Sequence, residues 1–209
     1  YKNEAQILKI KHKNLIHEIT VNLVGKIQLK NIVMAVIAAL KSNLDLKKIF
    51  SVIPRLSPVE GRFEKVGKIK NKSLVFLDYA HTPDALQTCI LNIREQFSDK
   101  HISVLFGCGG DRDKGKRSKM GKIADKYADK IYLTDDNPRH ERPKKIRDEI
   151  KRGIKKRQII EISNRKEAIA KAINNLNTGD ILIVAGKGHE KIQQIGNRKV
   201  FLSDRQIIL

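Results

Sequence analysis

The sequence predicts an α/β fold: a mostly parallel sheet with connecting helices, preceded by the tail of a second α/β unit. Three observations lead there. From Gly61 onward, apolar runs of strand length alternate with helix-length amphipathic stretches, the pattern of parallel strands joined by crossover helices. Four of the apolar runs end in short polar loops, the position where open α/β sheets bind ligands. Before Gly61 the rhythm differs, and the chain reads as starting inside a unit: Tyr1 is not an initiator Met, and Ala5–Ile10 is already strand-like.

Taken in order, Ala5–Ile10 and His17–Leu23 alternate as strands. Lys30–Asn43 carries Ile32, Val33, Val36, Ala39 and Leu40 at helical spacing. A short helix over Asp45–Ile53 is stopped by Pro54, and Pro54–Gly61 reads as a linker. Strands Arg62–Ile69 and Leu74–Asp78 flank the polar turn Lys70-Asn71-Lys72. Thr82 caps a helix with Pro83 in its first turn that runs to Phe97. There follow strand Ile102–Phe106, helix Lys116–Ala128, strand Lys130–Thr134, helix Pro143–Lys156, strand Gln158–Ile162, helix Asn164–Leu176 and strand Asp180–Ala185. Lys191–Ser203 closes the chain as a hairpin around Gly196-Asn197.

Composition narrows the partner classes. Aromatics make up 5% and Trp is absent, so the core is built from Ile, Leu, Val and Ala. Lys+Arg 43 against Asp+Glu 23 gives a net charge of +20, the balance of some nucleic-acid-binding surfaces. The lysines are scattered, however, and no aromatic stacking motif is interleaved with them. The expectation is a solvated basic surface that suits anionic, phosphate-bearing small substrates, with no nucleic-acid partner. Cys89 and Cys108 form no CxxC pair, which points to a reducing compartment. No apolar run approaches the roughly 20 residues that span a bilayer, and no signal peptide is visible. A cytoplasmic, monomeric chain without membrane insertion is expected.

The loops carry the chemistry. Gly107–Arg117 follows a strand and opens a helix, so its glycines could bring backbone N–H groups to an anion; it also reads as a basic turn, and the Walker pattern is absent. Arg112 offers a planar fork for a carboxylate or phosphate. In Asp136-Asn137-Pro138-Arg139, Arg139 could hold a carboxylate and Asn137 orient it, or the segment is a surface turn set by Asn-Pro. Asp78 could accept from a ribose hydroxyl or cap its turn. His81 could donate a proton to phosphate or be structural. In Gly186–Glu190, Glu190 could pair an ammonium, or the loop is a plain strand exit. Arg62 could reach a phosphate, or pair with Glu64 at the surface.

Together these segments resemble the Mur ligase family: Gly61–Glu64, Asp78–Asp84, Gly107–Arg117, Asp136–Arg139 and Gly186–Glu190 recur in the family's order, over nearly the whole chain. The resemblance implies an ATP-dependent amide ligase of peptidoglycan synthesis. The DNPR segment marks members that add meso-diaminopimelate to a UDP-N-acetylmuramoyl-dipeptide through an acyl phosphate. Residues 1–56 would then be the end of the central ATPase domain, and 57–209 the Rossmann-like C-terminal domain that binds the amino acid.

By resemblance, Arg112, Asp136, Asn137, Pro138, Arg139, Gly186 and Glu190 bind meso-diaminopimelate. Arg62, Asp78 and, weakly, Asn31 bind ATP, and His81 lies beside them as a catalytic candidate. The family's phosphate loop, carbamylated lysine and main Mg2+ ligands have no counterpart here, so ATP and Mg2+ are implied with their main ligands elsewhere and no catalysis is expected of this chain alone. Two departures stand out: Ile27-Gln28 replaces a phenylalanine-asparagine pair, and Ser118 stands where proline is usual. Three other readings stay open: a lysine-adding or folylpolyglutamate-type sister ligase, a basic nucleic-acid-binding module, and a scaffold fragment that binds the amino acid without catalysis.

Overall fold

The computed structural model describes residues 5–68 and 72–209. Ile69, Lys70 and Asn71, expected to end one strand and form a turn, lie outside the described residues, as does Tyr1.

The sequence before Gly61 folds as an antiparallel pair, β1 (Gln6–His12) and β2 (Leu15–Val21), followed by helices α1 (Lys26–Lys41) and α2 (Leu46–Val52). Most of its buried apolar residues form a separate cluster, Leu8, Ile19, Val21, Leu23, Ile32, Val36 and Ile53, while Val24 is part of the main core. The second strand starts two residues earlier than its alternation suggests, because Lys13 takes a left-handed φ of 55° and the chain reverses there. Helix α1 likewise begins at Lys26, four residues early. Asp45 caps α2 by accepting from the Lys48 N–H at 3.0 Å, and Pro54 sits within a short 3-10 turn, Ile53–Arg55.

From Glu64 the chain builds a six-stranded sheet: β3 (Glu64–Lys68), β4 (Leu74–Asp78), β5 (Ile102–Phe106), β6 (Lys130–Leu133), β7 (Ile159–Glu161) and β8 (Ile181–Ala185). The spatial order is β3-β4-β8-β5-β6-β7, with β3 antiparallel and all other neighbours parallel. Period-2 alternation sends Phe76, Val104, Phe106, Ile131 and Ile183 to one face. There α3 (Pro83–Gln96), α4 (Gly115–Tyr127) and α5 (Pro143–Lys151) pack through residues such as Leu86, Ile90, Met120 and Ile150. Val75, Leu77, Leu105, Tyr132 and Val184 point to the other face, against α6 (Arg165–Asn174) and the terminal helix α7 (Asp204–Ile208). Each fully buried Leu, Ile, Val or Phe contributes about 1.5–3 kcal/mol relative to exposure, so the two layers hold the sheet from both sides.

Topology then places the loops. The chain runs outward from β5 through β6 to β7, and returns to insert β8 between β4 and β5. Asp78 and Ala185 are paired at the carboxyl edge, as are Phe106 and Leu133. All four polar loops therefore leave from one edge, at the point where strand order reverses. The closing hairpin, β9 (Ile192–Ile195) and β10 (Arg198–Phe201), turns at Gly196-Asn197 as expected and lies beside this edge. Helix α5 ends at Lys151, not Lys156: a Cβ at Gly153 would lie 1.9 Å from the Ser118 carbonyl oxygen, and the Asp125 carboxylate receives the N–H groups of Lys156 and Arg157. Helix α7 has no counterpart in the sequence-based expectation; Ser203 caps it, accepting from the Gln206 N–H at 3.4 Å.

Candidate functional site

At the carboxyl edge the loops enclose a cavity of about 390 Å3, lined by His81, Arg112, Asp136, Asn137, Arg139, Gly186 and Glu190, with Tyr79, Lys116 and the Gly107–Gly109 backbone. Pro138 is buried and does not line it. A second cavity of about 360 Å3 is lined by Asn31, Arg62 and Asp78 with Gln28, Asp84 and Thr88. The sequence-predicted residues thus fall into two sets, and Tyr79 stands between them. Its ring lies 4.5 Å from the Arg62 guanidinium and packs on His81 and His189, while its hydroxyl donates to Glu190 Oε1 at 3.3 Å.

The Asp136–Arg139 segment is fixed by backbone bonds. The Asp136 carboxylate accepts from the Asn137 N–H at 2.6 Å, and Gln193 Nε2 donates to the Asp136 carbonyl at 2.6 Å. The Arg139 N–H donates to Gln194 O, and its carbonyl accepts from the Gly196 N–H, so the loop is stitched to the hairpin turn. Arg139 adopts a left-handed φ of 49°, a strained conformation for a non-glycine residue. Its Nη1 donates to the Gly110 carbonyl at 2.8 Å, and among the described residues it pairs with no carboxylate. The side chain of Arg112 is exposed and without an ion-pair partner among the described residues. Glu190 lines the same cavity as the two arginines, taking Asn137 Nδ2 at 3.0 Å and the Lys187 ammonium at 3.1 Å on Oε2. Burial raises its pKa, but the Asn137, Lys187 and Tyr79 bonds outweigh this and hold it below the usual carboxylate range.

The structure adds detail to the alternatives left open for several of these residues. Part of the Gly107–Arg117 backbone is engaged within the protein: Gly110 N–H donates to Asn137 O, Asp111 N–H to Glu141, and Gly115 N–H to Asp113. Gly110 also permits contact, since a Cβ there would lie 1.9 Å from the Pro138 carbonyl oxygen. Asp78 accepts from the Phe63 and Ala80 N–H groups at 2.7 and 2.8 Å, so both oxygens anchor the backbone; burial still raises its pKa. Arg62 does not pair with Glu64, whose carboxylate takes Arg205 at 3.0 Å and the Gly61 N–H at 2.8 Å. His81 donates from Nδ1 to the Tyr79 carbonyl at 2.8 Å, which leaves Nε2 as the basic nitrogen when the ring is neutral. Asn31 is exposed on α1, at the rim of the second cavity.

Sequence reasoning missed the residues that hold the site together. Arg117, with no exposed surface, binds Glu141 in bidentate fashion at 2.8 and 2.9 Å, Glu149 at 2.7 Å and the Gly109 carbonyl at 3.2 Å. Arg165 is equally buried, and holds Asp204 of α7 at 2.7 Å and the Ala185 carbonyl at 3.0 Å. Lys187 is a third buried cation, between the glycines of its loop. No local pattern distinguishes these from the many solvated Arg and Lys residues. Cys108 is buried in the cavity wall, which pushes its thiol up to about 12; both cysteines are free. Among the described residues no helix is long and apolar enough to cross a membrane.

Residues 61–188 match the family described as "Mur ligase, glutamate ligase domain". The chain is 47% identical over 189 residues to the UDP-N-acetylmuramoyl-L-alanyl-D-glutamate–2,6-diaminopimelate ligase of Rhizobium meliloti, covering 90% of this chain and 38% of that protein. It is 45% identical over 188 residues to the ligase of the same name from Rickettsia felis, covering 90% and 35%. A solved structure of a ligase of that name superposes with a TM-score of 0.71 at 34% identity, over 97% of this chain and 42% of the other. Folylpolyglutamate synthase from Thermotoga maritima gives a TM-score of 0.65 at 19% identity, over 88% and 41%, a likeness of fold. The chain spans about 35–42% of the length of these relatives.

Proposed function

The chain belongs to the Mur ligase family, and we propose that it supplies the amino-acid-binding part of an ATP-dependent ligase that adds meso-diaminopimelate to UDP-N-acetylmuramoyl-L-alanyl-D-glutamate in the cytoplasm. The observation that carries the reading is the first cavity: Arg112 and Arg139, neither with a carboxylate partner among the described residues, line it together with the Glu190 carboxylate. That arrangement complements a molecule bearing carboxylates and an ammonium. A guanidinium fork recognises a carboxylate in a plane, and the strained backbone at Arg139 aims it. L-lysine lacks the second carboxylate and would leave one guanidinium without its anionic partner. Loss of such a charge-assisted hydrogen bond costs about 1.5–3 kcal/mol, about 10–100-fold in discrimination.

ATP, when bound, supplies the phosphoryl group that activates the D-glutamate carboxylate as an acyl phosphate, which the amine of diaminopimelate then attacks to release phosphate. The second cavity would hold the base-and-ribose end, with Arg62 as the cation nearest the phosphates and Asp78, whose oxygens keep free lone pairs, as an acceptor. Among the described residues no cluster of three or more His, Cys, Asp or Glu could hold a metal, so these residues do not by themselves form a Mg2+ site. The chain's own contribution is to bind and orient the attacking amino acid.

Calorimetric titration of the chain with meso-diaminopimelate and L-lysine tests this. Selective binding of diaminopimelate, weakened about 10–100-fold in Arg139→Ala as for loss of a charge-assisted hydrogen bond, is the expected result. Lysine binding of equal strength would remove the role given to Arg139.

A further inference from the structure

Among the described residues Lys187 is the only lysine that is buried, and it has no exposed surface. An ammonium has three donors, and all three are engaged: Ile192 O at 2.6 Å, Glu190 Oε2 at 3.1 Å and Asn137 Oδ1 at 3.3 Å. Asn137 Oδ1 accepts a second bond, from the Gln194 N–H at 2.9 Å. Two donors on one atom identify it as the amide oxygen, which leaves the amide nitrogen to face Glu190 Oε2 at 3.0 Å. Glu190 Oε2 is therefore satisfied twice from within the protein. Oε1 has only the long 3.3 Å bond from Tyr79, on a side chain that is 34% exposed.

We infer that Lys187 is a positioning residue of the amino-acid pocket: its buried ammonium locks Asn137 and Glu190 into one orientation, in which Glu190 Oε1 is the atom presented to a ligand ammonium. The inference rests on the reading of this cavity as the amino-acid site and adds how the site distinguishes its ligand. Lys187 has already balanced the charge of Glu190. The pocket therefore selects an ammonium by hydrogen-bond direction at one oxygen, and a cation that merely enters the cavity gains little. The ligand class that fits is a zwitterionic amino acid whose carboxylates meet Arg112 and Arg139 while its ammonium meets this oxygen.

Other charged or titratable groups surround Glu190: Tyr79 and His81 from the loop after β4, Arg112, Asp113 and Lys116 from the loop after β5 and the start of α4, Asp136 and Arg139 from the loop after β6, Arg165 from α6, and His189, Lys191 and Lys199 from its own loop and the hairpin. Lys187 is the ammonium that touches it. Removing that charge raises the Glu190 titration midpoint, because an opposite charge within about 4–6 Å moves a carboxylate by about 1–3 units.

The test is a ligand-free carbon-13 NMR titration of the Glu190 carboxyl in the 209-residue chain and in Lys187→Met, with meso-diaminopimelate calorimetry at pH 5 and pH 8. The midpoint is expected to rise by about 1–3 units in the variant, with diaminopimelate affinity falling more at pH 5 than at pH 8, by about twofold where the raised midpoint reaches 5 and by more above that. A folded variant with an unchanged midpoint overturns the inference. If Lys187→Met does not fold, Lys187→Gln, which keeps a donor for Ile192 O without the charge, carries the same measurement. Unfolding of both shows a purely structural lysine and also overturns it. Failure of the parent chain to bind diaminopimelate refutes the proposed ligand, while the midpoint comparison still decides the role of Lys187.

Discussion

Arg117 shows what a single buried cation does for this site. It ties the loop after β5 to Glu141 beside the Asp136–Arg139 segment and to Glu149 on α5, with carboxylates 24 and 32 residues away. Arg117→Met would leave both carboxylates without their cation and release the loop that carries Arg112. We expect a loss of stability on the order of 3–5 kcal/mol, read by chemical denaturation. Unchanged stability would mean that the arginine merely fills space. Glu141 makes the same contact visible by pH. Its pKa is lowered from 4.5 to about 2, chiefly by the Arg117 hydrogen bonds. Its ionised form therefore stabilises the fold fully above the ordinary pKa, and the contribution is lost as pH falls through about 2. Stability measured from pH 5 to pH 2 should drop less steeply in Glu141→Gln than in the parent; equal slopes would refute the assignment. None of this was legible in the sequence, where Arg117 is the last basic residue of a basic run and its partners sit on other elements. Arg139 was legible because its segment is short and its residue types are unusual together.

Among the elements, β4 and β5 match the sequence-based boundaries, since continuous apolar runs bounded by polar turns leave little freedom of register. Ends governed by contacts were not legible. Helix α5 stops where Gly153 must approach Ser118, and α7 forms because Asp204 meets the buried Arg165. The loops after β5 and β6 depend on one such contact. Gly110 lies so close to Pro138 that a side chain at 110 must separate the two loops that present Arg112 and Arg139. Gly110→Ala should weaken diaminopimelate binding at least about tenfold by calorimetry, as expected when near-ångström misplacement disrupts positioning. Wild-type affinity would show that the loops are not jointly required. The Thr82 cap of α3, accepting from the Ala85 N–H at 3.3 Å, is a contact the sequence did reveal. Thr82→Ala should cost about 1 kcal/mol of stability with little effect on amino-acid binding.

At the scale of the whole molecule, the fold class was readable from β–α alternation, whereas the joint between the first 56 residues and the sheet was not. Residues 8–53 hold an apolar cluster of their own, and the joint is made by Val24, buried in the main core, and by helix ends. The Gly25 N–H donates to Gln96 Oε1 at 2.9 Å and the Ile27 N–H to Asn92 Oδ1 at 3.0 Å, so two side chains of α3 satisfy N–H groups at the start of α1. A Cβ at Gly25 would lie 2.9 Å from the Phe63 ring, so this close approach needs glycine. The exposed Lys26–Glu95 pair adds little in water. The joint sets the distance from Asn31, on α1, to Arg62 and Asp78, beside the sheet, and so sets the width of the second cavity. Replacing both caps, Asn92→Leu with Gln96→Leu, strands the buried Gly25 donor at about 1–3 kcal/mol and removes the exposed Ile27 bond, which water can replace. Hydrogen exchange over residues 26–41 should then accelerate while the β4, β5 and β8 amides keep their protection. Nucleotide affinity should fall and diaminopimelate affinity should stay within about twofold, because the first cavity draws no residue from α1. Parallel loss of both affinities would show that Tyr79, which touches Arg62 on one side and Glu190 on the other, transmits the disturbance and that the two cavities act as one site.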